Sequence, residues 1–271
     1  MPLPDGADGF EPDDRSLEAF KAKIDLATDI SKAKSKAKKK QNQAQVMAKR
    51  QEMTKQVLRA QRYMGLLPKK DEDLIAGMGN LTLSSINSED PPPFPQDMDV
   101  IFISIDVEAY ERPPGPITEV GVATLDTRDL LGEAPGKVGE NWHKHIRARH
   151  FRILEYKHLR NSEFVQGCPD DFEFGTSEFV GKDNIASTLS SCFHHPFSNT
   201  LTPSEAQTLN HDERRNITLL GHDISQDISY LHRLGFSVLN RGNLLEAMDT
   251  AVMFRSYTHD PNARSLSLIH I

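Results

Sequence analysis

Two carboxylates close an apolar run in the stretch VIFISIDVEAYER, where Asp106 and Glu108 stand two positions apart. The run predicts a buried strand, on which residues two apart share a face and lie about 6.6 Å apart along the axis. Paired acids beside a core are costly unless a cation compensates their charge. Mg²⁺ or Mn²⁺ binds carboxylates, water and substrate phosphate, and two such ions together support phosphodiester hydrolysis. The pair therefore indicates a two-metal site, unless the acids simply lie past the strand end in solvent.

A third acid lies in GHDISQDISYL, residues 221–231. Asp223 is positioned to cap a predicted helix over 224–235, and Asp227 falls in the first turn, where the helix dipole favours negative charge. Capping and the dipole alone would account for both acids without any metal. The order of the surrounding elements is what favours the metal interpretation.

That order is an acid-bearing first strand, a paired second strand ITEVGVATLD with Glu119, and a later strand that leads into an acid-bearing helix. NITLLGH, residues 216–222, predicts the later buried strand, and residues 243–254 predict a strand that turns into a helix at Asp249. The predicted fold is α/β: an RNase H-like mixed sheet flanked by helices, incomplete at its C-terminal end and preceded by a basic helical or disordered arm.

Three regions follow from composition. Residues 1–70 form a basic N-terminal region that is partly helical or disordered, residues 71–98 a proline-rich linker, and residues 99–271 the RNase H-like domain. Between Lys32 and Arg62 stand eleven Lys or Arg and one acid, Glu52. The run KAKSKAKKK is typical of a nuclear-import signal or a phosphate-binding arm, and equally of a solvated helix face.

The whole chain has 271 residues, a net charge of −7 and two cysteines without CxxC spacing. No apolar run reaches the length of a transmembrane helix, and the start lacks a signal-peptide pattern. We expect an intracellular protein, cytoplasmic or nuclear, that does not engage a membrane.

Residues 141–160 are strongly basic and aromatic, and they predict a third strand that leads into a helix. Within this segment, residues 142–160 are the second candidate binding feature. Such a mixture suits a groove that neutralises phosphates and stacks nucleobases. A mixed edge strand whose Lys and Arg side chains are solvated would have the same composition. The candidate phosphate-binding residues are Lys144, Arg147, Arg149 and Arg152, and the interleaved aromatics are Trp142, Phe151 and Tyr156.

Several longer strings carry a resemblance to a known family. IDVEAY with ITEVGVATLD resembles the first motif of the DEDD class of 3′→5′ exonucleases, and LLGHDISQDISYL resembles the second. The chain is also similar to the fungal Gfd-type domain, an exonuclease-like fold linked by name to mRNA export. Five strings together carry this similarity: DVEAYER, EVGVATLDTRDL, KHIRARHFRILEYKHL, GCPDDFEFGTSEFV and EAMDTAVMFR. The resemblance covers about residues 55–270.

The resemblance implies roles for individual residues. Asp106 would bridge both metal ions, Glu108 would hold the ion that activates water, and Asp227 would hold the ion nearer the leaving group. His222 and Asp223, in the second motif, would contact the nucleic acid. The implied ligand is RNA or DNA, single-stranded, with ribonucleoprotein partners.

The family's third motif, a general-base His followed by the last metal-binding Asp, has no counterpart before the end of the sequence at NARSLSLIHI. His270 has no Asp after it and is not expected to act as the base. We therefore expect an exonuclease-derived protein that is impaired or inactive as given. The alternative is a non-catalytic adaptor in mRNA export or ribonucleoprotein assembly, which keeps the fold and its basic surfaces.

Overall fold

The computed structural model describes residues 17–69, 87–164, 166–198 and 215–258. The chain divides into two compact units, Met1–Glu52 and Met53–Ile271. Helix α1, Leu17–Tyr63, begins in the first unit and ends in the second. The run KAKSKAKKK lies within α1 and its side chains are exposed. No described helix is long and apolar enough to cross a membrane.

The second unit contains a six-stranded sheet in the order β4-β3-β2-β1-β5-β6. The strands are β1 Val100–Ala109, β2 Ile117–Asp126, β3 Arg147–Ile153, β4 Glu178–Val180, β5 Asn216–Gly221 and β6 Leu244–Asp249. Among the described residues, the helices after α1 are α2 Glu140–His143, α3 Ile185–Cys192, α4 Ser225–Arg233 and α5 Thr250–Tyr257. This mixed α/β sheet with flanking helices confirms the predicted RNase H-like fold class.

The strand directions bring the acidic segments to one end of the sheet. β1 pairs antiparallel with β2, and β2 antiparallel with β3. β1 pairs parallel with β5, and β5 parallel with β6. Because the carboxyl ends of parallel strands share an edge, the end of β1 lies beside the β5–α4 connection. The predicted antiparallel pair and the predicted strand-to-helix turn at Asp249 are both confirmed.

One face of β1 forms the main core. Ile101, Ile103 and Ile105 are almost completely buried, and they belong to the same apolar cluster as Leu189 of α3 and Leu231 of α4. Burying such a side chain stabilises the fold by about 1.5–3 kcal/mol. The strand is therefore anchored by its apolar face, and its alternate residues are left to line the other face.

That other face begins apolar and becomes polar along β1. Val100 and Phe102 pack with Met248 of β6 and with Ala60 and Tyr63 from the end of α1. The Tyr63 and Phe102 ring centroids are 6.2 Å apart. The end of α1 thus covers the early part of this face, and the acids of β1 lie further along it.

Polar contacts fix the end of α1 to β6. The Glu246 carboxylate accepts hydrogen bonds from Arg59 Nε at 2.9 and 2.8 Å and from the Tyr63 hydroxyl at 2.7 Å. Burial, and then the bond to Glu246, raise the pKa of Tyr63 well above its usual range. Residues 53–63 are therefore part of the compact second unit, although composition groups them with the basic arm.

The segment 141–160 differs in part from its prediction. The strand is present as β3, but a single 3-10 turn, Leu154–Tyr156, stands where the sequence predicted a helix. Trp142 and Phe151 are buried, and the inward-facing side of β3 takes the Phe151 ring into the core. These two rings are therefore unavailable for stacking bases. The end of the chain that carries His270, and most of the predicted linker, lie outside the described residues.

Candidate functional site

The polar half of the sheet face forms the floor of a pocket of about 550 Å³. Asp106 and Glu108 project into it from β1, as strand alternation predicts. In the β1–β2 register Glu108 lies opposite Glu119 and Asp106 lies opposite Gly121. Residues 159–164 and 166–174 provide one wall. Three carboxylates on neighbouring strands thus share one concave surface.

Asp227 joins this group from α4. β5 pairs with β1 only as far as Ser104, so the β1 backbone beyond that residue has no strand neighbour on this side. Asp227 supplies the missing acceptor, because its Oδ1 accepts a hydrogen bond from the Val107 backbone N–H at 3.0 Å. Val107 stands between Asp106 and Glu108, and Asp227 is only 7% exposed. The bond therefore holds a fourth carboxylate beside the Asp106–Glu108 pair.

The crowding of acids changes their protonation. The pKa of Glu108 is raised to about 7, first by desolvation and then by the charges of Asp106, Glu119 and Asp227. Desolvation and the neighbouring acids likewise raise the pKa of Asp227 to about 6, against the lowering effect of its bond to Val107. The pKa of Asp106 is also raised, mainly by desolvation. The site is an anionic cluster in which the charges of His222 and His150 favour ionised Asp106 but do not offset its desolvation.

The donor chemistry of this cluster fits a hard divalent cation. Among described residues, no hydrogen-bond donor reaches the carboxylate of Asp106 or Glu108, and unpaired carboxylate oxygens are the ligands that Mg²⁺ and Mn²⁺ prefer. Within the described ranges, however, no three His, Cys, Asp or Glu side chains are grouped so that they could already hold a metal ion. The acids suit a cation in type and position, and their side chains would have to rearrange to coordinate one.

His150 is a residue of the pocket that sequence reasoning did not single out. Its Nε2 lies 3.1 Å from Glu119 Oε2 and its Nδ1 lies 2.9 Å from Ser177 Oγ. It lowers the pKa of Asp106 by its charge. His150 lies opposite Gly121, which lies opposite Asp106, so only the register of three strands reveals that they share a face. No local sequence signal could have placed it there.

The predicted phosphate-binding residues of segment 142–160 are each engaged in an ion pair. Of the four, only Arg149 lines the pocket. The pairs are Lys144 with Glu133, Arg147 with Asp129 at 2.9 Å, Arg149 with Glu178 at 2.8 Å, and Arg152 with Asp170 at 2.6 Å. Their charges are therefore neutralised locally, and they do not form one continuous groove with the acids.

His222 and Asp223 lie at the β5–α4 connection, near the acids. His222 lowers the pKa of Asp106, and Asp223 raises that of Asp227. The prediction that Asp223 caps α4 is wrong: Ile224 is the N-cap residue and no side chain caps this helix. Asp223 instead has a φ of 56°, and its backbone N–H donates to Asp249 Oδ1 at 3.1 Å. Its Oδ1 accepts a hydrogen bond from the Ser225 hydroxyl at 3.5 Å rather than from a first-turn backbone N–H.

The pocket wall is fastened to the β1–β2 turn. Glu111, in that turn, accepts hydrogen bonds from the backbone N–H groups of Ser162, Glu163 and Phe164 at 2.8–3.1 Å. Asn161 donates to the Ala109 carbonyl at 2.9 Å. Three N–H groups around one carboxylate lower the pKa of Glu111. The wall therefore has a defined position against the end of β1.

Glu111→Gln is expected to increase the hydrogen-exchange rates of the three amides at 162–164 by roughly tenfold, because charge-assisted bonds are replaced by neutral ones. Lowering the pH should likewise increase the exchange rates of these amides in the unmodified chain. A lowered carboxyl pKa gives stabilisation that is complete above the ordinary glutamate value of 4.5 and is lost as pH falls through the lowered pKa.

Exchange measured by mass spectrometry or NMR would check this, with Glu163→Gln as the matched control. Glu163 lies in the same segment, but among the described residues its side chain pairs only with the exposed Arg112. Equal protection in the Glu111 and Glu163 variants would show that Glu111 does not fasten the wall.

Comparison with known proteins agrees with the fold. A family model described as DEDDh_C, DNA polymerase III subunit epsilon-like, C-terminal domain, matches residues 101–270. The match covers both acid-bearing segments and more than half of the chain. The chain therefore belongs to this family and carries an exonuclease-like DEDDh domain.

Two fungal proteins are similar in sequence. An uncharacterized nucleolar protein of Schizosaccharomyces pombe is 30% identical over 155 residues, which are 57% of this chain and 49% of that protein. The Saccharomyces cerevisiae protein called Good for full DBP5 activity protein 2 is 24% identical over 142 residues, 52% of this chain and 22% of that protein. The chain spans about half or less of the length of these relatives.

Among solved structures, the E. coli ExoI–ssDNA complex in its zinc-bound form is similar with a TM-score of 0.32 and 11% identity, over 62% of this chain and 31% of that chain. A 3′-exonuclease that recognises the 3′ end of histone mRNA stem-loop is similar with a TM-score of 0.27 and 16% identity, over 62% of this chain and 50% of that chain.

Proposed function

We propose that this chain binds nucleic acid at a divalent-metal site derived from a 3′→5′ exonuclease, and that its phosphodiester hydrolysis is impaired. The observation that carries the proposal is the convergence of Asp106, Glu108 and Asp227, joined through the Val107 backbone N–H. The mutual effect of these acids on their pKa values supports it, since a divalent ion would relieve their repulsion.

Mg²⁺ or Mn²⁺ is the cofactor that these donors suit, and it would supply charge compensation for a substrate phosphate and an activated water. Asp106, Glu108 and Asp227 would hold it. The proposed impairment rests on His150, the histidine on the pocket floor. Both of its ring nitrogens are engaged, with Glu119 and Ser177, so it is poorly placed to accept a proton from water.

The proposed ligand is single-stranded RNA or DNA, because a strand end can enter a concave pocket that a duplex cannot. A nuclear location is proposed from two observations. One relative is named a nucleolar protein, and the exposed basic run of α1 is typical of a nuclear-import signal. Ribonucleoprotein partners belong to the same proposal.

A second candidate function is a non-catalytic adaptor in mRNA export or ribonucleoprotein assembly. The specific observation in its favour is that, in the described part of the chain, no three metal-binding side chains are already grouped around a common point. The name of the budding-yeast relative, which refers to the activity of another protein, also supports it. An adaptor would keep oligonucleotide binding and would not need the acids.

Calorimetric titration of Mn²⁺, followed by oligonucleotide binding and digestion assays on the same samples, tests the proposal. We expect Mn²⁺ binding and Mn²⁺-dependent binding of a single-stranded oligonucleotide, both lost in Asp106→Ala, with slow digestion at most. Glu163→Ala, which removes an exposed acid, serves as the control. Oligonucleotide binding that needs neither metal nor Asp106 would favour the adaptor, and absence of all binding would contradict both candidates.

A further inference from the structure

The lysine run of α1, residues 32–40, has no acid beside it along the helix. Residues 30–51 contain neither Asp nor Glu, although the turns before them hold Asp25 and Asp29. All side chains from residue 20 to residue 48 are exposed. In the described part of the chain, no carboxylate pairs with five of these lysines: Lys34, Lys36, Lys38, Lys39 and Lys40. The helix therefore presents a dense positive charge that no described side chain neutralises.

The lysines form two rows on opposite sides of the helix. Successive residues of an α-helix are rotated by about 100° around its axis. Lys36 and Lys40 therefore lie about 40° apart and form a first row, and Lys34 and Lys38 form a second row in the same way. The two rows are separated by about 160° around the axis. An anion that neutralises both rows must reach both sides of the helix.

This arrangement weakens the helix when no ligand is present. Like charges four positions apart on a helix repel each other and destabilise it, and each row contains such a pair. The earlier part of α1 has the opposite arrangement, because Lys21 and Asp25 lie four positions apart with opposite charges. A ligand with negative charge along both rows would relieve the repulsion between the lysines.

The major groove of duplex DNA offers negative charge on two sides at once. A helix with its side chains is about 10–12 Å across, and this groove is about 12 Å wide with phosphates along both edges. A helix in the groove can direct one row to each strand, while Ala33 and Ala37, which lie between the rows, face the bases. Duplex RNA has a deep and narrow major groove, and an acidic protein surface would meet only one side of the helix.

We propose that the lysine run of α1 is a second nucleic-acid site, which binds the phosphates of both strands of duplex DNA across the major groove. Contacts between lysine and phosphate carry no sequence information, so this binding does not depend on the base sequence. The site uses none of the acids of the sheet and needs no divalent metal. The inference therefore does not rest on the proposed function.

Binding of a short DNA duplex to the full chain in EDTA, measured by fluorescence anisotropy at several salt concentrations, tests the proposal. Each phosphate contact contributes about −0.9 to the slope of log K against log salt. The double variant Lys34→Gln with Lys38→Gln removes the second row, and Lys36→Gln with Lys40→Gln removes the first. Each should make the slope shallower by about 1.8 and weaken binding at least about tenfold near 0.15 M salt.

Three controls separate groove binding from charge and folding. Lys21→Gln with Lys23→Gln removes the same charge from the acid-containing part of α1 and should leave the slope unchanged. Lys34→Arg with Lys38→Arg keeps the charge of the second row and should bind as the unmodified chain does. Circular dichroism compares the helix content of all variants, so that loss of α1 is not mistaken for loss of contacts.

A single strand and an RNA duplex of the same sequence should bind at least about tenfold more weakly than the DNA duplex. If they bind equally well, or if only one row affects the slope, the nucleic acid does not lie between the rows and the proposal is wrong. If neither row affects the slope, α1 does not bind duplex DNA. Asp106→Ala should bind the duplex in EDTA normally while losing Mn²⁺-dependent binding of single strands, so each of the two proposals can fail alone.

Discussion

Arg215→Ala is expected to lower the free energy of unfolding by about 3 kcal/mol, the lower end of the cost of breaking a buried ion pair. Arg215 stands directly before β5 and its side chain is 3% exposed. Its guanidinium donates to both oxygens of Asp126 at 2.5 and 2.8 Å, and lies 3.1 Å from Asp99. It thereby joins the start of β5 to the end of β2 and to the residue before β1.

The cost arises because truncation leaves Asp126 partly buried without its main partner. Urea denaturation monitored by circular dichroism measures the change. Arg112→Ala is the matched control, since the Arg112–Glu163 pair is exposed and such pairs contribute about 0–1 kcal/mol. If Arg215→Ala costs no more than Arg112→Ala, the pair does not stabilise the sheet. Since Arg215 lies away from the pocket, Mn²⁺ binding per folded molecule should be unchanged.

Asp227→Asn is expected to abolish the stabilisation that Mn²⁺ gives to the unmodified chain. Saturating metal at about 100 times its Kd stabilises a folded protein by about 2.7 kcal/mol. Asparagine keeps a carbonyl oxygen to accept the Val107 N–H bond but removes one charge from the cluster. Metal binding should therefore weaken while the fold is preserved.

Without metal the same variant should be more stable than the unmodified chain at neutral pH. The pKa of Asp227 is raised to about 6, so the folded state binds protons more tightly than the unfolded state does. Stability from this group is present below the ordinary aspartate pKa of 3.8 and is lost as pH rises through about 6. Because asparagine does not ionise, the Asp227→Asn variant should not lose this stability as the pH rises.

Thermal unfolding with and without Mn²⁺, at pH 4 and pH 7.5, measures both effects. Asp227→Ala is the contrasting variant: it removes the charge but also leaves the Val107 N–H without an acceptor, which costs about 1–3 kcal/mol. A metal-induced shift that survives in Asp227→Asn would show that Asp227 is not part of the metal site.

The sequence by itself determined five of the six strands, all but β4, and the acids. β1 was recognisable because a continuous β-branched and aromatic run is typical of a buried strand, and Asp106 and Glu108 were placed on one face by the two-residue period of a strand. Asp227 was recognisable because a strand followed by a helix with an acid in its first turn is a local pattern. These features depend on residues that are close together in the chain, so they can be predicted from the sequence alone.

Only the tertiary structure decided what surrounds those acids. His150 shares a face with Asp106 through the register of three strands, and Phe174 reaches the same pocket because Glu111 fastens a distant segment to the β1–β2 turn. The sequence suggested Phe151 for stacking, but strand alternation turned that ring into the core. Such contacts join residues far apart in the chain, and their geometry depends on pairing and packing that no local pattern encodes.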